Sequence, residues 1–347
     1  MWFCGILMGA KPTSRCIPAT FLAEHFGQSS SKLVLPKRIS NNCDDAVFGN
    51  QFPMNPEDPP KLRMAPPETP EQLAHRADCE QRAVQLQREG ELENSLAPFR
   101  VGSVGYLNAA PLVRGIEKEI IIAPPAGLAE MLQKDELDAA LVSLTEVLFH
   151  DHYDVLDGIA IASLGEVKSV LLAHRRPLEQ IREVFCDTAS LTSVNLLRVL
   201  LAERGLKPEF KPLPDYKSAS QLDSVLLIGD PALDFLRSQS GYEITDLGEQ
   251  WLGLTGLPFV YAVWALRRGV ENSRLQRQLR EARDFGLDTL DSIILNRPEY
   301  DYEFRKDYLG WHIHYHLGAD EKRGIARFIE LLRKHGSEPV FDPKFVS

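Results

Sequence analysis

Cysteine is scarce in this chain. Five occur in 347 residues, and Cys4, Cys16, Cys43 and Cys79 all precede the region that reads as folded, leaving Cys186 alone within it. The number is odd, and no C-x-x-C or Cys/His spacing is present. That argues against a disulfide framework and a structural zinc site, and fits a reducing, cytoplasmic setting. Long apolar runs are also missing. Nothing approaches the roughly 18–20 residues of a membrane span. The opening M-W-F-C-G-I-L-M has no basic residue before its short apolar stretch, which makes a poor secretory signal. Positive charge is in deficit: 39 Lys and Arg against 49 Asp and Glu give a net charge of -10. That is the wrong sign for nucleic acid or an anionic membrane as partner. A small anion remains admissible, because helix ends can hold one. The chain has no G-x-G-x-x-G, no phosphate-binding P-loop and no G-x-S-x-G elbow. No cofactor and no metal are expected.

What is present is ordinary globular material, 44% hydrophobic and 25% charged, with enough length for two lobes. Residues 1–66 stand apart. A polar run at Gln28–Lys32, another at Asn41–Asp45 and a proline-dense stretch at Pro53–Pro67 sustain no periodic pattern. A disordered tail is expected there, with Met54 and Met64 as candidate internal starts. Thr69-Pro70-Glu71-Gln72 reads as a helix start, and residues 67–98 as a helical extension.

From Phe99 strands and helices alternate. The pattern predicts strands over Arg100–Tyr106, Glu119–Ala123, Leu137–Val142, Ser169–His174, Glu183–Cys186, Ser224–Ile228 and Phe259–Leu266. Helices are predicted chiefly over Pro125–Lys134, Leu144–His150, Thr192–Arg204, Pro231–Ser238, Arg274–Leu295 and Ala319–His335. That order predicts a two-lobed α/β fold with mostly parallel sheets and a cleft between the lobes. Residues 99–172 would begin lobe 1, 173–265 would form lobe 2, and 266–347 would return as helices to lobe 1.

Polar side chains stand at several strand-to-helix junctions. Tyr106 and Asn108 lie in V-G-Y-L-N-A-A-P-L. Ser143 and Thr145 follow the strand ending at Val142. Ser190, Thr192 and Ser193 belong to a hydroxyl run from Thr188. Gly229 and Asp230 precede Pro231. Helix N-termini present free N–H groups and a partial positive charge. Several around one cleft would hold a dicarboxylate without a net positive charge. The same residue types are also the preferred helix caps. Asp230-Pro231 reads first as such a cap, and Ser143 and Thr145 stay open between the two roles. The Thr188–Ser193 run has more hydroxyls than a cap needs, so ligand contact is favoured there. His312, His314 and His316 alternate with Trp311, Ile313, Tyr315 and Leu317. With no acid or cysteine at a familiar coordination spacing, a solvated or packing role is expected for them. Cys186 reads as inert core.

From Arg100 to about Phe328 the chain resembles the chorismate dehydratases of the futalosine route to menaquinone. The motifs that carry the resemblance, in the family's order, are V-G-Y-L-N-A-A-P-L, E-L-D-A-A-L-V-S-L-T-E, G-E-V-K-S-V-L-L, S-L-T-S-V-N-L-L-R, L-L-I-G-D-P-A-L, D-L-G-E-Q-W and L-T-G-L-P-F-V-Y-A-V-W-A. The resemblance implies a type 2 periplasmic-binding-protein fold used as a cytoplasmic enzyme. It implies conversion of chorismate to 3-[(1-carboxyvinyl)oxy]benzoate and water without a cofactor. It implicates the Asn of Y-L-N and the Ser of G-x-V-x-S in the reaction, here Asn108 and Ser169. An amide and a hydroxyl are poor bases at neutral pH. Asn108 is therefore read as orienting the substrate or its leaving hydroxyl, with Ser169 in the same network. The base stays open, the substrate's enolpyruvyl carboxylate being one candidate. Many relatives carry Arg where this chain has Leu191, and Gly-Pro where it has Gly165-Glu166. Glu166 adds a negative charge that Lys168 is placed to offset. The competing readings are 1,4-dihydroxy-6-naphthoate synthase, a same-fold enzyme of the same route, and a non-catalytic small-anion-binding protein. The Y-L-N and T-G-L-P-F-V motifs favour the dehydratase.

Overall fold

The computed structural model of the chain describes residues 69, 75, 76, 79, 80, 96–238 and 241–347. The expected tail over 1–66, and nearly all of the helical extension over 67–98, lie outside the described residues. His75, Arg76, Cys79 and Glu80 are helical.

Apolar runs too continuous to alternate become strands buried on both faces, which is what helices on either side of a sheet require. Strands are numbered in chain order. The first sheet has the order β11-β4-β10-β3-β1-β2. Its strands are Lys344–Val346, Tyr153–Ser163, Phe259–Arg267, Ala139–Ser143, Val101–Ser103 and Ile120–Ile122, respectively. The second has the order β7-β6-β8-β5-β9. Its strands are Glu209–Pro212, Glu183–Cys186, Ser224–Ile228, Val170–His174 and Glu243–Asp246. Both sheets are mixed rather than mostly parallel. β1 runs parallel to β2 and β3, β11 to β4, and β6 to β7 and β8. Every antiparallel pairing involves β5 or β10. These are the strands by which the chain arrives from the other lobe, so their direction reverses on entry.

The crossings differ from the predicted borders. β5 begins at Val170 in the second sheet, so the chain crosses at 164–169 rather than after 172. β10 belongs wholly to the first sheet, so the return crossing is at 256–258 rather than after 265. Gly256 opens that return. At φ 68° it ends the helix Leu247–Thr255 in the left-handed region, where a missing Cβ removes the steric cost. Trp251, Phe259 and Phe328 then meet edge to face, with centroids 5.0–5.9 Å apart. They tie that helix and β10 to the final helix, Ala319–His335.

Other differences have local causes. β4 gave no period-2 signal because its register against β10 shifts, and Asp157-Gly158 interrupts it with a φ of 83° at the glycine. The predicted helix over Arg274–Leu295 is two, Ser273–Asp288 and Leu290–Asn296. Thr289 divides them, and its hydroxyl donates back to the Phe285 carbonyl at 2.7 Å, a competing bond that suits a helix end. Among the described residues no helix is long and apolar enough to cross a membrane.

Candidate active site

The sequence reads Asn108–Ile116 as a helix start, but the turn after β1 is not an α-helix. Leu107–Val113 is a 3₁₀ segment with Pro111 inside it, and a proline without an N–H suits such short, tight turns. The helix Ser273–Asp288 clamps it from outside. A Cβ at Gly286 would stand 1.8 Å from the Pro111 carbonyl oxygen, so only glycine permits this approach. Asn108 is thereby held on the cleft wall with 9% of its surface exposed. Its Nδ2 donates to the Tyr308 hydroxyl at 3.1 Å. Its Oδ1 is buried without a hydrogen-bond partner among the described residues, and the residue lines the cavity.

Tyr308 was not anticipated. It lies fully buried at the start of a π-helical turn, Tyr308–His312. Its hydroxyl also bonds Ser169. Burial raises its phenol well above the ordinary value, outweighing those two bonds, so it stays neutral.

Ser169, 1% exposed, is positioned by a buried carboxylate. Asp246 accepts the N–H groups of Val167 at 3.1 Å and Lys168 at 2.7 Å. The same carboxylate caps the helix Leu247–Thr255 through Gly248 N at 2.9 Å and Glu249 N at 3.1 Å. One side chain therefore fixes the crossing loop to the second lobe. Burial pushes its acid up to about 6, with the N–H donors pulling the other way.

Hydroxyls from both lobes meet on one wall. Ser143 donates to Ser190 Oγ at 3.2 Å, and Ser190 and Ser193 share a further bond at 3.2 Å. Tyr106 faces Gly229, whose φ is 60° and whose added Cβ would stand 3.0 Å from the tyrosine ring. Burial first, then the charges of Asp187 and Asp230, push the Tyr106 phenol up to about 12. Tyr261 joins the site from β10 and shares a 3.0 Å bond with Ser163. The cavity these groups surround has about 540 Å³ of space between atoms, the open solvent at its mouth included. Its other walls are Val, Leu, Ile, Ala and Pro, and among the described residues no Lys, Arg, His, Asp or Glu lines it.

The structure thus brings Tyr106, Asn108, Ser143, Ser169, Ser190, Ser193 and Gly229 to one cavity. Three predicted contacts are elsewhere. Thr145 and Thr192 are both fully buried and bonded to each other, Thr145 N to Thr192 Oγ1 at 2.9 Å and oxygen to oxygen at 3.2 Å. They lace the lobes together. Asp230 accepts the Leu107 N–H across the lobes at 3.2 Å, so it caps the turn bearing Asn108 rather than its own helix.

The departures resolve as follows. Leu191 is 45% exposed and does not line the cavity. Lys168 pairs with Asp307 at 2.5 Å instead of offsetting Glu166. His312 donates to the Glu166 carbonyl at 2.8 Å and sits 3.2 Å from Asp307. His314 and His316 separate from it and stack on each other, beside a carboxylate that sequence spacing missed, Glu321. Cys186 is 2% exposed, and burial pushes its thiol up to about 12, as fits an inert core residue.

With that geometry in hand, comparison with known proteins is informative. The family model described as menaquinone biosynthesis matches residues 99–334. A chorismate dehydratase of Thermus thermophilus is 35% identical over 263 residues, covering 68% of this chain and 96% of that protein. Solved structures share the fold at low identity. A structural-genomics protein of Archaeoglobus fulgidus aligns with TM-score 0.56 at 17% identity, over 68% of this chain and 97% of its own. The alkanesulfonate-binding protein SsuA of Xanthomonas axonopodis pv. citri, bound to MOPS, aligns with TM-score 0.51 at 14% identity, over 70% and 94%.

Proposed function

The chain belongs to the menaquinone biosynthesis family, and from that membership we propose that its cleft dehydrates chorismate to 3-[(1-carboxyvinyl)oxy]benzoate. The observation that carries the reading is the buried, unpartnered Asn108 Oδ1 at the cavity beside Ser169. A buried acceptor without a partner is costly. A ligand hydroxyl that donates to it recovers that cost.

The reaction breaks the carbon–hydrogen bond at ring carbon 3 and the carbon–oxygen bond at carbon 4. The pair from the first forms the new ring double bond, the hydroxyl leaves, and with the proton it becomes water. Asn108 Oδ1 accepts the hydrogen of the carbon 4 hydroxyl and aims the bond that breaks. Ser169 Oγ donates to the same oxygen as it gathers charge. The hydroxyls of Ser143, Ser190 and Ser193, with the N-terminus of the helix Leu191–Glu203, hold a carboxylate.

The base is the remaining question. Tyr106 and Tyr261 are held as neutral phenols by burial, and the other polar walls are hydroxyls and one amide. None takes a proton readily at neutral pH. The enolpyruvyl carboxylate is tethered to carbon 3 through the ether oxygen, and an apolar wall strengthens it as a base. We assign it the proton. The reading places the enzyme in the cytoplasm, needs no cofactor, and leaves the oligomeric state open.

Incubating the purified chain with chorismate and following the product by mass spectrometry tests this. Loss of one water is expected, and Asn108→Ala should slow it strongly. Tight chorismate binding without water loss would instead make this a small-anion-binding protein.

A further inference from the structure

We propose that His314, His316 and Glu321 form a binding site for one divalent transition-metal ion of the zinc class, apart from the chorismate cleft. Burial alternates over residues 313–317, with Ile313 extended, His314 in a bridge to β4, and Ile313, Tyr315 and Leu317 buried at 4%, 5% and 3% exposure. The intervening His314 and His316 therefore share the other face, as residues two apart on a strand must. Their rings stack with centroids 5.5 Å apart. Glu321 arrives from the first turn of the helix Ala319–His335. The donor atoms of all three lie within 4.8 Å of one another.

The spacing suits a metal. His316 Nε2 stands 3.2 Å from Glu321 Oε1. Two donors at about 2.0–2.1 Å from a tetrahedral ion lie about 3.3 Å apart. His314 is the third donor, and no described residue hydrogen-bonds its ring. His316 is 61% exposed, so its ring can turn toward the ion and leave a coordination position open to water.

The frame is already rigid. His314 exchanges both backbone bonds with Ala162, at 2.7 and 2.9 Å, which fixes it to β4. Glu321 is fixed by its other oxygen, since Oε2 accepts the Gly318 N–H at 2.8 Å. The helix cap and the metal bond thus use different oxygens of one carboxylate. Preorganised donors lose little entropy on binding. Two imidazoles and one carboxylate favour Zn²⁺, Co²⁺, Ni²⁺ or Cu²⁺ over Mg²⁺ and Ca²⁺, which demand oxygen. The bound ion would clip the extended segment to the last helix.

The test uses the full untagged chain stripped with a chelator, titrated with Zn²⁺ by calorimetry and with Co²⁺ by visible absorption. One equivalent should bind, with tetrahedral or five-coordinate cobalt bands and a rise in Tm on adding Zn²⁺. His316→Ala, at an exposed position, and His314→Ala should each weaken binding by at least about tenfold and cancel the Tm rise. Each variant's metal-free Tm reports whether it is folded. Glu321→Gln should weaken binding too while retaining a cap acceptor. Absence of binding, equal binding in the histidine variants (which would place the ion elsewhere, for example on the N-terminal cysteines), or equal affinity for Mg²⁺ would each overturn the proposal.

Discussion

Tyr308→Phe removes a single oxygen, and its consequences can be worked through from the site. The ring should stay where it is, since Tyr308 is fully buried and stacked on Phe304 with centroids 5.8 Å apart. What is lost is the acceptor for Asn108 Nδ2 at 3.1 Å. A buried N–H left unpaired costs about 1–3 kcal/mol, so a lower Tm is expected. The functional loss is distinct from that cost. With Nδ2 anchored, Oδ1 can only face the cavity. Without the anchor the amide is free to rotate, and its two ends are nearly the same size. If the anchor is worth about 1.4–2.7 kcal/mol, kcat falls by about ten- to a hundredfold. KM should change little, because the carboxylate contacts lie on the serine wall. Steady-state assay of product release measures both. Asn108→Ala combined with Tyr308→Phe should lose less than the product of the two single losses, since the tyrosine acts in part through the asparagine and in part through Ser169. Full kcat in Tyr308→Phe, or multiplying losses in the double variant, would refute the argument.

Three further expectations follow from the same geometry. Asp246 titrates near 6 in the folded protein because of burial, against about 3.9 for a free carboxyl. Its contribution is therefore fully present below about pH 4 and is lost as pH rises through 6. Urea unfolding of wild type and Asp246→Asn should show the wild-type advantage growing as pH falls from 6 to 4, by up to about 1.4 kcal/mol per pH unit; a flat difference rejects the buried-acid account. Gly229→Ala puts a Cβ at a φ of 60° and 3.0 Å from the Tyr106 ring, so a loss of about 1–2 kcal/mol and a raised KM are expected from thermal melts and kinetics. Thr192→Val removes the acceptor for the buried Thr145 N–H and should lower stability by about 1–3 kcal/mol while kcat holds. Ser193→Ala should do the reverse, raising KM with Tm unchanged; if the two behaved alike in both assays, the division between lacing and cavity hydroxyls would be wrong.

The hydroxyl run at Ser190–Ser193 shows where sequence is legible and where it stops. Ser190 caps the helix and its side chain meets Ser193 three residues on, while Thr192 lies about 100° round from Ser193. That spacing alone separates the residues that line the cavity from the one that does not. It does not say that the other face meets Thr145, which is 47 residues away. Asp230 failed for the same reason. Its cap chemistry was legible, but the N–H it satisfies belongs to Leu107, 123 residues distant. Strand and helix types held where one period dominated. They failed at β4, where a register shift erased the period, and at Thr289, where one side-chain bond outweighed a continuous helical pattern.

Charge was the other blind spot, and it bears on mechanism. The sequence leaves a small anion admissible despite the net charge, places Leu191 where many relatives carry Arg, and reads Lys168 as offsetting Glu166. In the structure Lys168 is spent on Asp307, and among the described residues no charged side chain lines the cavity. A cation near the enolpyruvyl carboxylate would hold its charge and lower its basicity. Neutral hydroxyls and N–H groups can anchor one carboxylate of chorismate while the other, against apolar walls, remains basic enough to take a proton. A cavity without cations is thus what an elimination needs when the substrate brings its own base. Introducing Leu191→Arg separates the two effects. Chorismate affinity should rise, and kcat should hold if the guanidinium reaches the ring carboxylate but fall if it reaches the enolpyruvyl one. A rise in kcat would mean that the base is not the substrate's carboxylate.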